Sequence, residues 1–363
     1  MIEKGIGMKA ILALEDGTVF EGISCGVPGE VTGVVVFNTA VVGFQELLTD
    51  PASHGQILIC TYPLIGNYGA CDADMESDTV QASGLVIREL SAVYSNFRAH
   101  GSLTDFIRKH NLVCISEVDT RALAVHLRDH GEMGAILSTT DYNHNSLVEK
   151  VKATQVPKAH LLHETTCSQR STLDPFAGGV QQTVGVLDLG VRRSEVRQLR
   201  TSGCRVVLFP AGTPADDIMG CGVDRVFLSG GPSIVLPPEH MVGEVAKFLG
   251  TLPVFGTGLG HNMLAAALGC SSIRMRIGHR GVNQPVRNLL TGHVEITVQN
   301  HGVVVDRKEV EANSDVAVTH EQINDHTVEG IRSTKYPAFS VQYNLSVVEK
   351  EDIHPHLAEF VKV

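Results

Sequence analysis

Tryptophan is absent from the sequence, and aromatic residues make up only 5% of it. Platforms on which nucleic-acid bases could stack therefore have little to be built from. Positive charge is scarce as well: 29 Lys and Arg against 40 Asp and Glu leave a formal net charge of −11. A polyanionic partner is not expected on that balance, and no nucleic acid is assigned. No apolar run is long enough to span a bilayer. The opening "MIEKGIGMKAILAL" is too short in apolar residues for a signal peptide. The expected setting is cytoplasmic, with no membrane partner. The eight cysteines (Cys25, Cys60, Cys71, Cys114, Cys167, Cys204, Cys221 and Cys270) are dispersed, and none forms a C-x-x-C pair. Most sit in or beside apolar runs, so reduced buried thiols explain them better than disulfides or zinc. The "HPH" at 354–356 stands too alone to be named a metal site. Neither a metal nor a cofactor is expected.

What the sequence does contain is ample core. Its 363 residues are 43% hydrophobic and 19% charged, which fits a soluble two-domain chain. The first half reads as strand-rich. "MKAILAL", "GTVFEGISCG", "GVVVFNTAVVGF" and "QILICTYPLIG" combine Val, Ile and Thr with punctuating Gly. Helical spacing follows in "LTDFIRKH" and "TRALAVHLRDHG". From 152 to 182 the pattern fades into polar, Pro- and Gly-containing sequence, read as a linker. The domains are thus expected at 1–151 and 183–363.

In the second half, strands and helices alternate from "TVGVLDLG" to "LGHNMLAAALG", which predicts a mainly parallel sheet with helices on both faces. Ligands in such sheets lie beyond the carboxyl ends of the strands. Those ends are "LDLG", "FPAGT", "LSGGP" and "FGTGLG". Strands return after residue 270 in "SIRMRIG", "HVEITVQNHG" and "PAFSVQYN".

The stretch "LPVFGTGLGHNMLAAALG", residues 252–269, runs strand, Gly turn, helix. Enzymes often place a nucleophile at such an elbow, yet the tip here is Gly258. A phosphate-cradling turn is the alternative, but a full G-x-G-x-x-G would need Gly where His261 stands. Cys270 cannot substitute: twelve residues along a helix is roughly 18 Å. Cys221 precedes its strand and is expected at the wrong edge of the sheet.

The first half carries "VVFNTAVVGFQELLTDPASHGQIL", "TYPLIGNYG", "DADMES", "GLVIREL" and "VDTRALAVHLRDHG". With these stretches, nearly the whole chain resembles the small subunit of carbamoyl-phosphate synthetase. The second half resembles a class I glutamine amidotransferase domain through "FLSGGP", "PVFGTGLGH", "GHRGVNQPV" and "ITVQNHGVVVD". The resemblance implies an α/β fold: a strand-rich N-terminal domain followed by a class I amidotransferase-like domain with a mainly parallel sheet. It also implies a Cys–His–Glu triad that hydrolyses glutamine, with the thiol on the elbow.

This chain departs from that pattern at all three positions. The elbow reads Gly256-Thr257-Gly258-Leu259-Gly260-His261-Asn262 where the family has Gly-Ile-Cys-Leu-Gly-His-Gln. Near the C-terminus, Gln342-Tyr343-Asn344-Leu345-Ser346 stands for Gln-Gly-His-Pro-Glu. The nucleophile, base and orienter positions become Gly258, Asn344 and Ser346. The glutamine-holding positions have drifted too. Ala40 replaces a Ser and Asn262 a Gln, and the Gly-Pro-Gly loop reads Gly231-Pro232-Ser233. Leu259, Asn300, Gly302 and Val303 remain as pocket positions.

The expectation is a glutaminase-dead small subunit. It would dock on a large synthetase subunit that makes carbamoyl phosphate, for arginine and pyrimidine synthesis, from ammonia, bicarbonate and ATP. The chain has no ATP-grasp-sized segment of its own. The alternatives are a repurposed ligand-sensing or protein-binding module, and a glutaminase with an unrecognised nucleophile.

Overall fold

A computed structural model describes residues 8–154, 160–347 and 352–362. It divides into two units: Met1–Lys158 with Arg276–Arg280, and Ala159–Met275 with Gly281–Val363.

In the first unit the aliphatic and β-branched runs form strands. These are β1 (Lys9–Leu14), β2 (Val19–Ser24), β3 (Glu30–Asn38), β4 (Gln56–Cys60), β5 (Gly84–Val86), β6 (Val113–Ser116) and β7 (Met133–Ser138). They close into a barrel in the order β1-β2-β6-β5-β4-β3-β7, with β7 pairing back onto β1. The two-residue period of β1 sorts its side chains. Ala10, Leu12 and Leu14 join Val35, Ile57 and Ile115 in one cluster. Ile11 and Ala13 pack on the other side against Leu147 and Val151.

The helices are α1 (Phe44–Thr49), α2 (Leu103–Lys109), α3 (Thr120–His130) and α4 (His144–Ala153). Ser102, Asp119 and Asn143 cap α2, α3 and α4 by accepting from backbone N–H groups of the first turn. The sequence patterns indicated α2 and α3 but gave no sign of barrel closure.

Arg280 and Glu132 form a buried ion pair in this unit, and Arg280 Nε also donates to Gln56 Oε1 at 3.3 Å. Arg280→Ala leaves the Glu132 carboxylate buried without its cation. It should lower the unfolding free energy by about 3–5 kcal/mol. Urea unfolding measures this. Adding Glu132→Gln to Arg280→Ala should recover part of the loss, and a neutral Arg280→Ala would contradict the assignment.

The second unit contains α5 (Leu161–Thr165), β8 (Ser171–Leu173), β9 (Gln182–Asp188), α6 (Arg193–Thr201), β10 (Cys204–Pro210), α7 (Ala215–Gly220) and β11 (Arg225–Leu228). It continues with α8 (Glu239–Ala246), β12 (Val254–Thr257), α9 (Leu259–Ala267), β13 (Ser272–Asn288) and β14 (Val294–Val305). Last come α10 (Arg307–Ala312), β15 (Val316–Gln322), β16 (Val328–Ser333), β17 (Ala338–Val341) and α11 (Pro355–Phe360). One sheet runs β8-β10-β9-β11-β12-β17-β16-β14-β13-β15. Strands β10, β9, β11, β12 and β17 are mutually parallel. The strands expected after residue 270 extend this same sheet, with antiparallel pairs such as β16–β17.

Successive residues of β11 go to opposite faces. Val226 and Leu228 pack with Ala215, Met241 and Leu264 of α7, α8 and α9. Phe227 packs with Leu199 of α6 and with Leu357 and Phe360 of α11. Burial on both faces is why these strands read as continuous apolar runs. Within the stretch read as a linker, α5 contributes buried Leu162 to the core and β8 pairs with β10. Residues 155–159 of that stretch lie outside the described residues.

Among the described residues no helix is long and apolar enough to cross a membrane. All eight cysteines are free thiols. Five are buried, Cys25 and Cys167 are half-buried, and Cys221 is exposed.

Candidate functional site at the strand-to-helix elbow

The elbow forms because β12 ends at Thr257 and α9 starts at Leu259, leaving one residue to reverse the chain. That residue, Gly258, has φ 50° and ψ −117°. Side chains rarely adopt this backbone, and Gly adopts it without a Cβ penalty. The turn is pinned from several directions. Gly258 N donates to Val341 O at 3.2 Å, and the N–H groups of His261 and Asn262 return to Gly258 O at 3.1 and 3.3 Å. Gly260 lets α9 lie directly on β11, since a Cβ there would fall 2.1 Å from Leu228 O. The site-shaping backbone is therefore held by packing that needs no side chain at 258.

Some of the second-unit residues singled out in the sequence come together around the tip. A Cβ on Gly258 would be 3.4 Å from Gly230 Cα and 4.0 Å from Gln342 O. The elbow thus meets both the loop after β11 and the stretch after β17. Gly231 and Ser233 are buried in that loop, and Ser233 O accepts from Gly302 N at 3.1 Å. Asn300 and Val303 are buried in β14 beside Gly302. Leu259 is the first residue of α9, so its N–H has no partner within the helix. Asn262 is buried. Its Nδ2 donates to Gly258 O and Gln342 Oε1, each at 3.2 Å, and its Oδ1 accepts from Ser272 Oγ at 3.0 Å. The amide is engaged on both ends by the protein itself. Asn344 is half-buried and its N–H donates to Val298 O at 3.0 Å; Ser346 is exposed. Ala40 belongs to the first unit, where its N–H donates to Asn38 Oδ1 at 2.8 Å.

The imidazoles near the elbow are structural in their contacts. His261 is fully buried, with Nδ1 2.8 Å from Ser340 Oγ, and burial pushes it down to about 3, so it stays neutral. His301 is buried with Nδ1 3.2 Å from Val303 O and Nε2 3.6 Å from Glu329.

Three features of this site escaped the sequence reading. Glu195 of α6 is buried and accepts from Thr257 Oγ1 at 3.0 Å, one residue before the tip. Its signal was a carboxylate at helical spacing with the buried Gln198 and Leu199. Tyr343 is 1% exposed, its hydroxyl 2.8 Å from His356 Nε2. Cys167 lies at the carboxyl end of β9, where its N–H donates to Asp188 Oδ2 at 2.8 Å. Burial and the neighbouring Asp188 push that thiol up to about 12, so at neutral pH it offers almost no thiolate.

Comparison with known families gives two matches. Residues 12–137 match the carbamoyl-phosphate synthase small chain, CPSase domain, and residues 185–362 match glutamine amidotransferase class-I. The carbamoyl phosphate synthase small chain of Syntrophotalea carbinolica is 44% identical over 349 residues, covering 93% of this chain and 92% of that one. The small chain of Chlorobaculum tepidum is 39% identical over 364 residues, covering 98% of each.

Proposed function

The chain belongs to the carbamoyl-phosphate synthase small-chain family, and from that membership we propose that it is a small subunit without a working glutaminase. The observation that carries the reading is the elbow. A backbone of the kind that presents a nucleophile holds Gly258, whose side chain is a hydrogen atom. Two further positions support it. Asn344, at the position of the base, has no titratable nitrogen to take a thiol proton or return it to departing ammonia. Ser346, at the position of the orienter, has no charge to hold an imidazolium. Nucleophile, base and orienter act as a unit in acyl transfer. The Leu259 N–H can steady an oxyanion only after something has attacked.

The pocket positions agree. Asn262 spends its amide on Gly258, Gln342 and Ser272, and Ser233 adds a side chain to the loop. In this reading the large subunit draws ammonia from solution and uses ATP and bicarbonate. The small chain contributes stability, allosteric coupling or closure of the ammonia channel, in a cytoplasmic complex that feeds arginine and pyrimidine synthesis.

Co-expression with a large carbamoyl-phosphate synthase subunit tests this. A co-eluting complex should make carbamoyl phosphate from ammonium and not from glutamine. Separate elution at micromolar concentration would defeat the subunit role and favour a repurposed ligand-sensing or protein-binding module. Product from glutamine would defeat the loss of glutaminase.

A further inference from the structure

Away from the elbow, the second unit gathers a polar cluster that the sequence scattered. Glu295 comes from β14, His320 from β15 and His356 from the first turn of α11. One ligand atom from each lies within 4.8 Å of the other two. His320 is 3% exposed and His356 9% exposed, whereas Glu295 is half-buried. The rings of His320 and His356 meet edge to face with centroids 5.0 Å apart.

The hydrogen bonding at one ring is one-sided. His320 Nδ1 is 2.9 Å from Thr319 Oγ1, while its Nε2 is buried with no hydrogen-bond partner among the described residues. A ring that donates from Nδ1 to a neighbour presents the Nε2 lone pair, which is how a metal-binding imidazole is oriented. A buried polar atom left unpaired is costly, and a cation at Nε2 would remove that cost. Tyr343 Oη stands 2.8 Å from His356 Nε2, which places a phenol oxygen beside the cluster.

We propose that Glu295, His320 and His356 bind one divalent transition-metal ion of the zinc type. Two imidazoles and one carboxylate are a borderline donor set. It suits Zn²⁺ or Co²⁺ and is poor for Mg²⁺ or Ca²⁺, which take oxygen ligands. Arg332, whose charge would oppose a cation, is paired with Glu359 at 2.5 Å. The half-buried Glu295 is the side from which an ion can enter. Bound there, the ion would join α11 to β14 and β15. It would act on the stability of this face and not on glutamine chemistry.

The test uses the full-length, untagged chain, stripped with chelator and then loaded with Zn²⁺ or Co²⁺ alone. After desalting, wild type should retain one equivalent per chain, show the visible absorption of low-coordinate Co²⁺, and melt at a higher temperature when loaded. His320→Gln and Glu295→Gln should each weaken retention at least tenfold and lose the metal-dependent rise in melting temperature. Wild type that retains no more metal than the variants overturns the proposal. If His320→Gln fails to fold, Glu295→Gln decides alone, and retention equal to wild type overturns the three-ligand site.

Discussion

Given saturating glutamine, the purified chain should release glutamate at less than about a thousandth of the rate of a small chain with its triad intact. In a serine-protease triad, losing the nucleophile or the base alone costs on the order of a millionfold in turnover, and removing every member costs little more. In the proposed assignment the three positions are Gly258, Asn344 and Ser346. The nearby candidates for a substitute are poorly suited. Cys167 is held as a thiol, and the buried His261 is kept neutral against Ser340. Glutamate release should be followed with the chain alone and with a large subunit. A rate above that thousandth, or a trapped thioester on Cys167, would show that a different nucleophile is at work.

Restoring the thiol by itself should not restore the reaction. Gly258→Cys fits sterically, since the new Cβ meets nothing closer than Gly230 Cα at 3.4 Å. The φ of 50° with ψ of −117° makes it strained, at a cost of about 1–3 kcal/mol for an L-residue. The cysteine at the start of α9 gains some thiolate from the helix N-terminus. Slow alkylation by iodoacetamide is therefore expected without turnover. The triple change Gly258→Cys, Asn344→His, Ser346→Glu should recover far more glutamate release than its single changes summed. Adding Asn262→Gln and Ser233→Gly should then lower the KM. Family-like turnover by Gly258→Cys alone would mean a hidden base, with His301 beside Glu329 the one to examine.

The parallel half of the large sheet was legible because its strands are apolar on both faces and its helices end in glycine, as α6 does before Gly203. Strands β15 and β16 were not legible. "VAVTHEQ" and "VEGIRS" carry Thr319, His320, Gln322 and Glu329 into the interior. Buried polar groups that are satisfied only by distant partners erase the hydrophobic alternation on which a strand reading depends. Barrel closure failed for a related reason: β1 meets β7 across more than a hundred residues, and no local pattern encodes that pairing. At the site, the glycine at the tip of the elbow could be read from the strand–turn–helix pattern of the sequence. The engagement of Asn262 by Gln342 could not, because it joins residues 80 apart. "HPH" acquires meaning only when the fold sets His356 against His320.

The left-handed turn at residue 258 also bears on how such a chain evolves. A cysteine there would work in a conformation that L-residues resist, so catalysis at this elbow comes with a standing burden on stability. Glycine lifts that burden while hydrogen bonds to the Val341 and Ser229 carbonyls keep the turn in place. Selection acting on stability alone would thus favour the inert residue, the usual conflict between a strained site and a robust fold. On the proposed reading, regaining a nucleophile would run uphill: the first step, Gly258→Cys, is expected to lose stability without by itself gaining activity.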